Sequence, residues 1–350
     1  MEYINLLNTI RDNASVDYQA RIPEAERNNI KDIGALMISD ENVQIANEFI
    51  NTLLNKVIKQ EIISKVFENK LRSLKRGTKP LGDTIEEIYN NFIKGYSYDG
   101  TGNTTALMGR TLPDTKTCYH RMNKQMKYPI TISREQLSKA FSSWDKFDTF
   151  YTSIIQTVYN SVELDEFINM KQLFKTALDN NAMRVVYVED PLTSDGKAFI
   201  KTVKTVSGLM EFPSENFNAY LTAQDVDTKP IKTFTRKNEQ VLIIDTATDV
   251  SLSIDVLASI FNMSVAEFNE TRKIVIDVFP DPTMRAVIVD ERFFQVYDDL
   301  LTFKGWENPE SLYMNYWCHS WQTLAYSILV NAVAFCVEET VEETVEETQE

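Results

Sequence analysis

The sequence predicts an α+β fold built around one long helix, and three observations support that expectation. No glycine or proline interrupts the chain between Pro129 and Pro191, and inside that stretch apolar residues recur at helical spacing. After Pro191 the texture changes to short β-rich runs, "RVVYV", "VLIID", "KIVIDVF" and "RAVIVD", interspersed with a helical "SIDVLASIF". Ahead of the long helix lies a basic segment broken by glycine and proline, which suits strands and turns. At 350 residues the chain exceeds the usual single core, so one elaborate domain with projections or two modest ones is expected.

Residues 1 to 40 are polar and mixed around Pro23 and read as an arm that leans on another surface. From Glu41 to Phe67 the spacing of Val43, Ile45, Ala46, Phe49, Ile50, Leu53, Leu54, Val57 and Ile58 predicts an amphipathic helix. "KLRSLKRGTKPLGDTIEEIY", at 70 to 89, follows, with Gly77, Pro80 and Gly82 excluding a helix. A second basic segment runs from Arg110 to Lys127, and the two together predict a long two-stranded projection with a flexible tip.

The next helix should begin at Ser133, which has capping-box spacing with Gln136. From Trp144 the apolar series Phe147, Tyr151, Ile154, Val158 and Val162, then Phe167, Ile168, Leu173, Phe174 and Leu178, predicts a rod of about 50 Å with one break near 161 to 165. Beyond Pro191 a compact α+β module is expected, with a further cap at Ser264 and Glu267. "ERFFQVYD" alternates, and the aromatic, β-branched block at 311 to 336 reads as a buried sheet. The chain closes on three VEET repeats, a low-complexity acidic tail. That tail suits a disordered solvated extension, or else a docking segment for a basic partner such as a decoration protein.

Composition narrows the function. Apolar residues make up 43% and charged residues 25%, as in a folded soluble protein. The net charge of −15 disfavours a duplex-DNA binder, whose affinity rests on neutralising phosphates. Seven carboxylates and no base lie in the last 14 residues, about half of that net charge. Cysteines at 118, 318 and 336 do not make a disulfide framework and point to a reducing compartment. "MEYINLLNTIRDN" resembles neither a signal peptide nor an anchor, and no run of about 18 apolar residues occurs, so no membrane association is expected.

Candidate chemistry is sparse. Cys118 with His120, Cys318 with His319, and Cys336 could supply thiolate and imidazole ligands, but the spacings are not those of structural zinc. If 313 to 321 is a strand, Cys318 and His319 point to opposite faces, while Tyr313, Asn315, Trp317, His319 and Trp321 share one. Packing is therefore the preferred reading over a metal-dependent hydrolase or a thiol–imidazole pair. The acidic pairs Glu86–Glu87 and Asp298–Asp299 read as solvated faces. No phosphate loop, nucleophile elbow or HExxH motif occurs, so neither an enzyme nor a cofactor is expected.

The basic segments carry more. Lys65, Lys70, Arg72, Lys75, Arg76 and Lys79 stand against Glu68 alone, and Arg110, Lys116, Arg121, Lys124 and Lys127 against Asp114 alone. A solvated hairpin, a nucleic-acid contact and self-assembly all fit, and a basic arm on an acidic protein favours copies of itself. The expected pairing seats Lys70, Arg72, Lys75, Arg76 and Lys79 on Glu163, Asp165 and Glu166 of an adjacent copy.

"GTKPLGDTIEEIY", "SSWDKFDTFYTSIIQTVYNSVELDEF", "DVLASIFNM" and "NYWCHSWQTLAYSILVNAVAF" resemble, in family order across roughly 40 to 336, the major capsid protein of short-tailed phages of the phi-29 kind. The resemblance implies a Hong Kong 97-type capsid fold. By it, 1–65 would be an N-terminal arm, 66–130 an extended loop over the neighbouring subunit, and 131–182 the spine helix of the peripheral domain. Residues 183–290 would form the axial domain, 291–336 the return to the peripheral sheet, and 337–350 the acidic tail. It also implies a virion shell of pentamers and hexamers, icosahedral or prolate, built in the host cytoplasm around a scaffolding protein. A portal protein and enclosed double-stranded DNA, bound without sequence specificity, come with it. An encapsulin-type shell shares the architecture. Some relatives carry an immunoglobulin-like domain where this sequence shows the VEET repeat, and no motif for covalent cross-linking is evident.

Overall fold

The computed structural model describes residues 2–57, 67–95, 97, 112–194, 196–223, 229–252, 273–308 and 313–338. Helices α1 (Glu2–Asp12), α2 (Val16–Arg21), α3 (Ile30–Ile38) and α4 (Val43–Val57) come first. Ser15 starts α2 by accepting the Tyr18 N–H. These helices bury Ile10, Tyr18, Ile33, Phe49 and Ile50 against Phe141 and Phe147 of the same chain. The expected arm therefore leans on its own subunit. At Gly34 a Cβ would lie 2.3 Å from the Phe141 Cβ, so α3 can approach that closely through a glycine alone.

The segment after α4 enters the core before it projects. Leu71 and Leu74 are buried in a second apolar cluster, and the short strand β1 (Gly77–Thr78) pairs in parallel with β9 (Phe294–Asn308). β2 (Ile85–Asn90) and β3 (Thr115–His120) form an antiparallel pair, with Ile85 opposite His120. β4 (Lys124–Ser133) returns to the body and runs antiparallel to β10 (Tyr313–Tyr326), from Lys124 opposite Gln322 to Ser133 opposite Tyr313. Within the stretch expected to form the extended loop, 67–79 and 124–130 thus belong to the body, because their side chains and backbone are satisfied there. The loop tip lies outside the described residues, as do Lys65 and Arg110.

The capping box at Ser133 and Gln136 is present and starts α5 (Arg134–Ala140). Helix α6 (Trp144–Asp179) then runs unbroken for 36 residues, about 54 Å. The break expected near 161 to 165 does not occur. Its cause would have been a polar, acidic stretch, but the Ser161 hydroxyl donates back to the Thr157 carbonyl, and Tyr128 donates to Asp165. Phe147, Tyr151, Ile154 and Val158 bury the first half of α6 in the N-terminal cluster; Phe167, Met170, Phe174 and Ala177 bury the second half in the next. One rod joins two cores.

Beyond α6 come β5 (Arg184–Tyr187), α7 (Lys197–Leu209), β6 (Gln240–Asp245), β7 (Lys273–Ile276), β8 (Met284–Asp290), β9 (Phe294–Asn308), β10 (Tyr313–Tyr326) and β11 (Ala332–Cys336). Strands β1-β9-β10-β4 form one sheet and β5-β11-β8-β6-β7 another. All six residues of β6 are buried, as an interior strand covered on both faces requires. β11 joins the second sheet, against β5 and β8, so the last strand of the block at 291–336 departs from the sheet containing β9 and β10. Helix α7 was not foreseen, although Phe199, Ile200, Val203 and Val206 keep helical spacing on its buried face. The expected "SIDVLASIF" helix, the cap at Ser264 and nearly all of the VEET repeat lie outside the described residues.

Candidate assembly surfaces

The basic segment and the spine acids do meet, but within one chain. The Lys75 ammonium sits 2.6 Å from Glu166 Oε2 and 2.8 Å from Asp298 Oδ2. Gln322 Nε2 donates to the same two carboxylates, at 2.5 and 2.9 Å, and Asn69 Nδ2 donates to Glu166 Oε1 at 3.0 Å. Burial opposes the ammonium charge, yet Asp298 and Glu166 together hold Lys75 above its ordinary pKa. Lys79 is buried against Asp299 at 3.1 Å and donates to the Asp83 carbonyl at 2.6 Å. Arg72 reaches Glu163 at 3.5 Å. Lys70 and Arg76 remain exposed. Within one chain, β1 docking on β9 brings Arg72 and Lys75 onto the α6 acids Glu163 and Glu166 and Lys79 onto Asp299, so of the five cations expected to seat on an adjacent copy it is Lys70 and Arg76 that stay exposed.

Sequence reasoning took Asp298 and Asp299 for a solvated pair, and both are partners of this segment. Glu87 likewise lies 2.8 Å from His120 Nε2 and accepts from Gln295 at 2.9 Å. The signal was present in β9, where an acid pair interrupts an otherwise apolar alternation. Glu163 Oε2 is buried and has no hydrogen-bond partner among the described residues. Burial first, then the Glu166 charge, raises the Glu163 pKa.

The Cys–His stretch of β10 alternates as expected. Met314, Tyr316, Cys318 and Ser320 are buried, while Tyr313, Asn315, Trp317, His319 and Trp321 face the other way and stay partly exposed. Burial pushes the Cys318 thiol up to about 12, which disfavours the thiolate that ligation or attack would need. Cys118 is raised to about 11 by burial and by Glu87.

The β2–β3 hairpin has two unlike faces. Its inner face is anchored on its own subunit: Tyr89 donates to the Lys232 carbonyl, Asn91 to the Pro230 carbonyl at 2.9 Å, and the Lys116 ammonium lies 5.8 Å from the Tyr220 ring centre. The outer face leaves Ile88 60% and Tyr119 61% exposed, and beyond the strands Phe92, Ile93 and Leu112 are exposed as well. Between them on that face stand Glu86, Asn90, Thr115 and Thr117, and the Tyr119 hydroxyl donates to Glu86 at 3.0 Å; none of the described residues covers Ile88.

A long spine helix under one sheet, a second sheet at its far end and an anchored hairpin with exposed Ile88 and Tyr119 give the architecture that the sequence resemblance implied, the Hong Kong 97-type capsid fold. Solved capsid chains share that fold. A chain of the Staphylococcus phage Andhra capsid superposes with a TM-score of 0.63 at 12% identity, covering 80% of this chain and 87% of that one. A chain of the native bacteriophage P68 head-fibre and inner-core structure gives 0.58 at 14% identity, with the same coverage. The sequence pattern of the Phi29-like phage major capsid protein family matches residues 7–336, and the chain belongs to that family. It is 35% identical over 338 residues to the major capsid protein of Bacillus phage B103, covering 95% of this chain and 73% of that protein. For Bacillus phage GA-1 the values are 32%, 92% and 68%, and for Streptococcus phage Cp-1 27%, 96% and 94%. The protein is thus a structural component of a phage virion shell, in which copies of the chain associate with one another.

Proposed function

We propose that copies of this chain close into pentamers and hexamers around double-stranded DNA, as the head of a short-tailed phage, and that residues 85–120 are the element one copy lays on the next. Residues 2–57 and the α6 region act as the peripheral part of the subunit, and the β5–β8 region as the part nearest the symmetry axes. Assembly takes place in the host cytoplasm on a scaffolding protein, with a portal protein at one vertex. What supports this reading is the hairpin: its inner face is held to its own subunit, and Ile88 and Tyr119 on its outer face stay exposed among the described residues. Different patches meeting head to tail generate rings.

Ile88→Ser with Tyr119→Ser tests it. Both side chains are exposed, so the variant chain should melt like the parent, while particles seen by negative-stain microscopy after co-expression with the scaffolding protein should fall to background. Normal particles from the variant would remove the hairpin from the contact, and the absence of DNA-filled heads in infection by the parent would remove the packaging role.

A further inference from the structure

The joint around Lys75 also encloses a cavity of about 230 Å³, set between the basic segment, α6 and strands β9 and β10. Val158 and Val162 of α6 and Leu301 and Phe303 of β9 make one part of its wall apolar. Another part is charged: the carboxylates of Glu163, Glu166 and Asp298 stand against the cations of Arg72 and Lys75, so one negative charge is left over when all five are ionised. Arg72 and Leu301 are exposed, which opens the cavity to solvent on that side.

Two acceptors in this wall lack a donor. Glu163 Oε2 and Gln322 Oε1 are both buried, and neither has a hydrogen-bond partner among the described residues. Gln322 is 2% exposed, and its amide nitrogen is already committed to Glu166 and Asp298, at 2.5 and 2.9 Å, which fixes where the amide oxygen lies. A buried acceptor without a donor has given up its hydration and received nothing in exchange. The matching ligand therefore donates several hydrogen bonds, carries a positive charge and has an apolar stem. A metal ion matches less well, because among the described residues no three acidic, histidine or cysteine side chains converge closely enough to hold one. Room is sufficient, since an apolar cavity of about 150 Å³ already admits benzene. We propose that this cavity binds a small aliphatic primary ammonium ion, with its N–H groups on Glu163 Oε2 and Gln322 Oε1 and its methylenes on the apolar wall.

The ammonium can belong to a free amine or to the lysine side chain of another chain, and the same contacts serve both. A proton competes with it. Glu163 shares the cavity with Glu166 and Tyr159 of α6, Arg72 and Lys75 of the basic segment, Asp298 of β9 and Cys318 of β10, and burial, then the Glu166 charge, raises its pKa. Only the carboxylate form accepts from an ammonium. Binding therefore strengthens as pH rises through the folded pKa of Glu163.

The site is complete within one subunit, so the unassembled full chain is tested first and the outcome is independent of the shell reading. n-Butylammonium is titrated onto it by calorimetry in an amine-free buffer, beside tetramethylammonium, which has the charge but no N–H. One n-butylammonium per chain is expected to bind saturably, about tenfold or more tighter than tetramethylammonium and more tightly at higher pH. Glu163→Gln should weaken that binding about tenfold or more. Val162→Phe, which fills the cavity from its apolar wall and leaves every charge in place, should weaken it as well. No binding to the parent, equal binding of the two ions, or binding unchanged in either folded variant overturns the proposal. Repeating the titration on assembled particles separates the sources: a site that still takes n-butylammonium serves a free amine, and one that no longer does is held by a lysine of an adjoining chain.

Discussion

Lys75 is the residue at which the basic segment, the spine helix and the sheet meet. With Glu166 2% exposed and Lys75 at 15%, removing the ammonium leaves a buried carboxylate uncompensated. Lys75→Met is expected to cost about 3–5 kcal/mol, read as a drop in the urea midpoint of the unassembled chain. Arg76→Glu, on an exposed side chain with no such carboxylate beside it in the pairings above, should shift that midpoint little. Glu163 behaves oppositely. Burial raises its folded pKa above the unfolded value, so between the two values the folded chain holds more protons. Its contribution is therefore present at low pH and is lost as pH rises through the folded pKa. Glu163→Gln should flatten this dependence and be more stable than the parent above that window, a comparison made by urea titration from about pH 4 to about pH 8. The residue types at this site were legible in the sequence: a basic cluster and spine acids of opposite sign. Their being in one subunit was not, because that follows from β1 pairing with β9 across more than two hundred residues, and no local pattern records a register of that length.

At the scale of elements, local rules served well where the cause is local. The Ser133–Gln136 box, the alternation of β10 and the apolar spacing of α6 all hold, since each depends on neighbours within a turn or along one strand. They failed where a distant partner rescues a polar residue: Asp165 looked like a helix break until Tyr128 supplied its hydrogen bond at 2.8 Å. Gly305 illustrates the same dependence. It lies opposite Tyr316 in the β9–β10 register, and a Cβ there would come within 2.3 Å of the buried tyrosine ring. Tyr316 also reaches Asn47 of α4 at 3.2 Å, so the ring has no free direction in which to move. Gly305→Ala is expected to cost about 1–3 kcal/mol through overpacking, seen as a lower melting temperature of the chain. A melting temperature equal to the parent's would mean that the sheet can shift away from α4.

For the whole molecule, the decisive question is what drives one copy onto another. A basic arm seated on acidic neighbours would make assembly an attraction between opposite charges, weakened by salt. The structure places Lys75 and Lys79 inside the subunit and leaves Ile88, Tyr119, Phe92 and Ile93 on the surface of the hairpin. On the proposed hairpin contact, association is apolar and brings together bodies that each carry a net −15. Apolar burial gains from added salt, while the repulsion loses range, from a screening length of about 10 Å at 0.1 M to about 3 Å at 1 M. Particle yield at fixed subunit and scaffold concentration, followed by light scattering, should therefore rise as sodium chloride is raised from about 0.1 M toward 1 M. A yield that falls over that range would show that exposed Lys70 and Arg76, rather than these apolar side chains, carry the association.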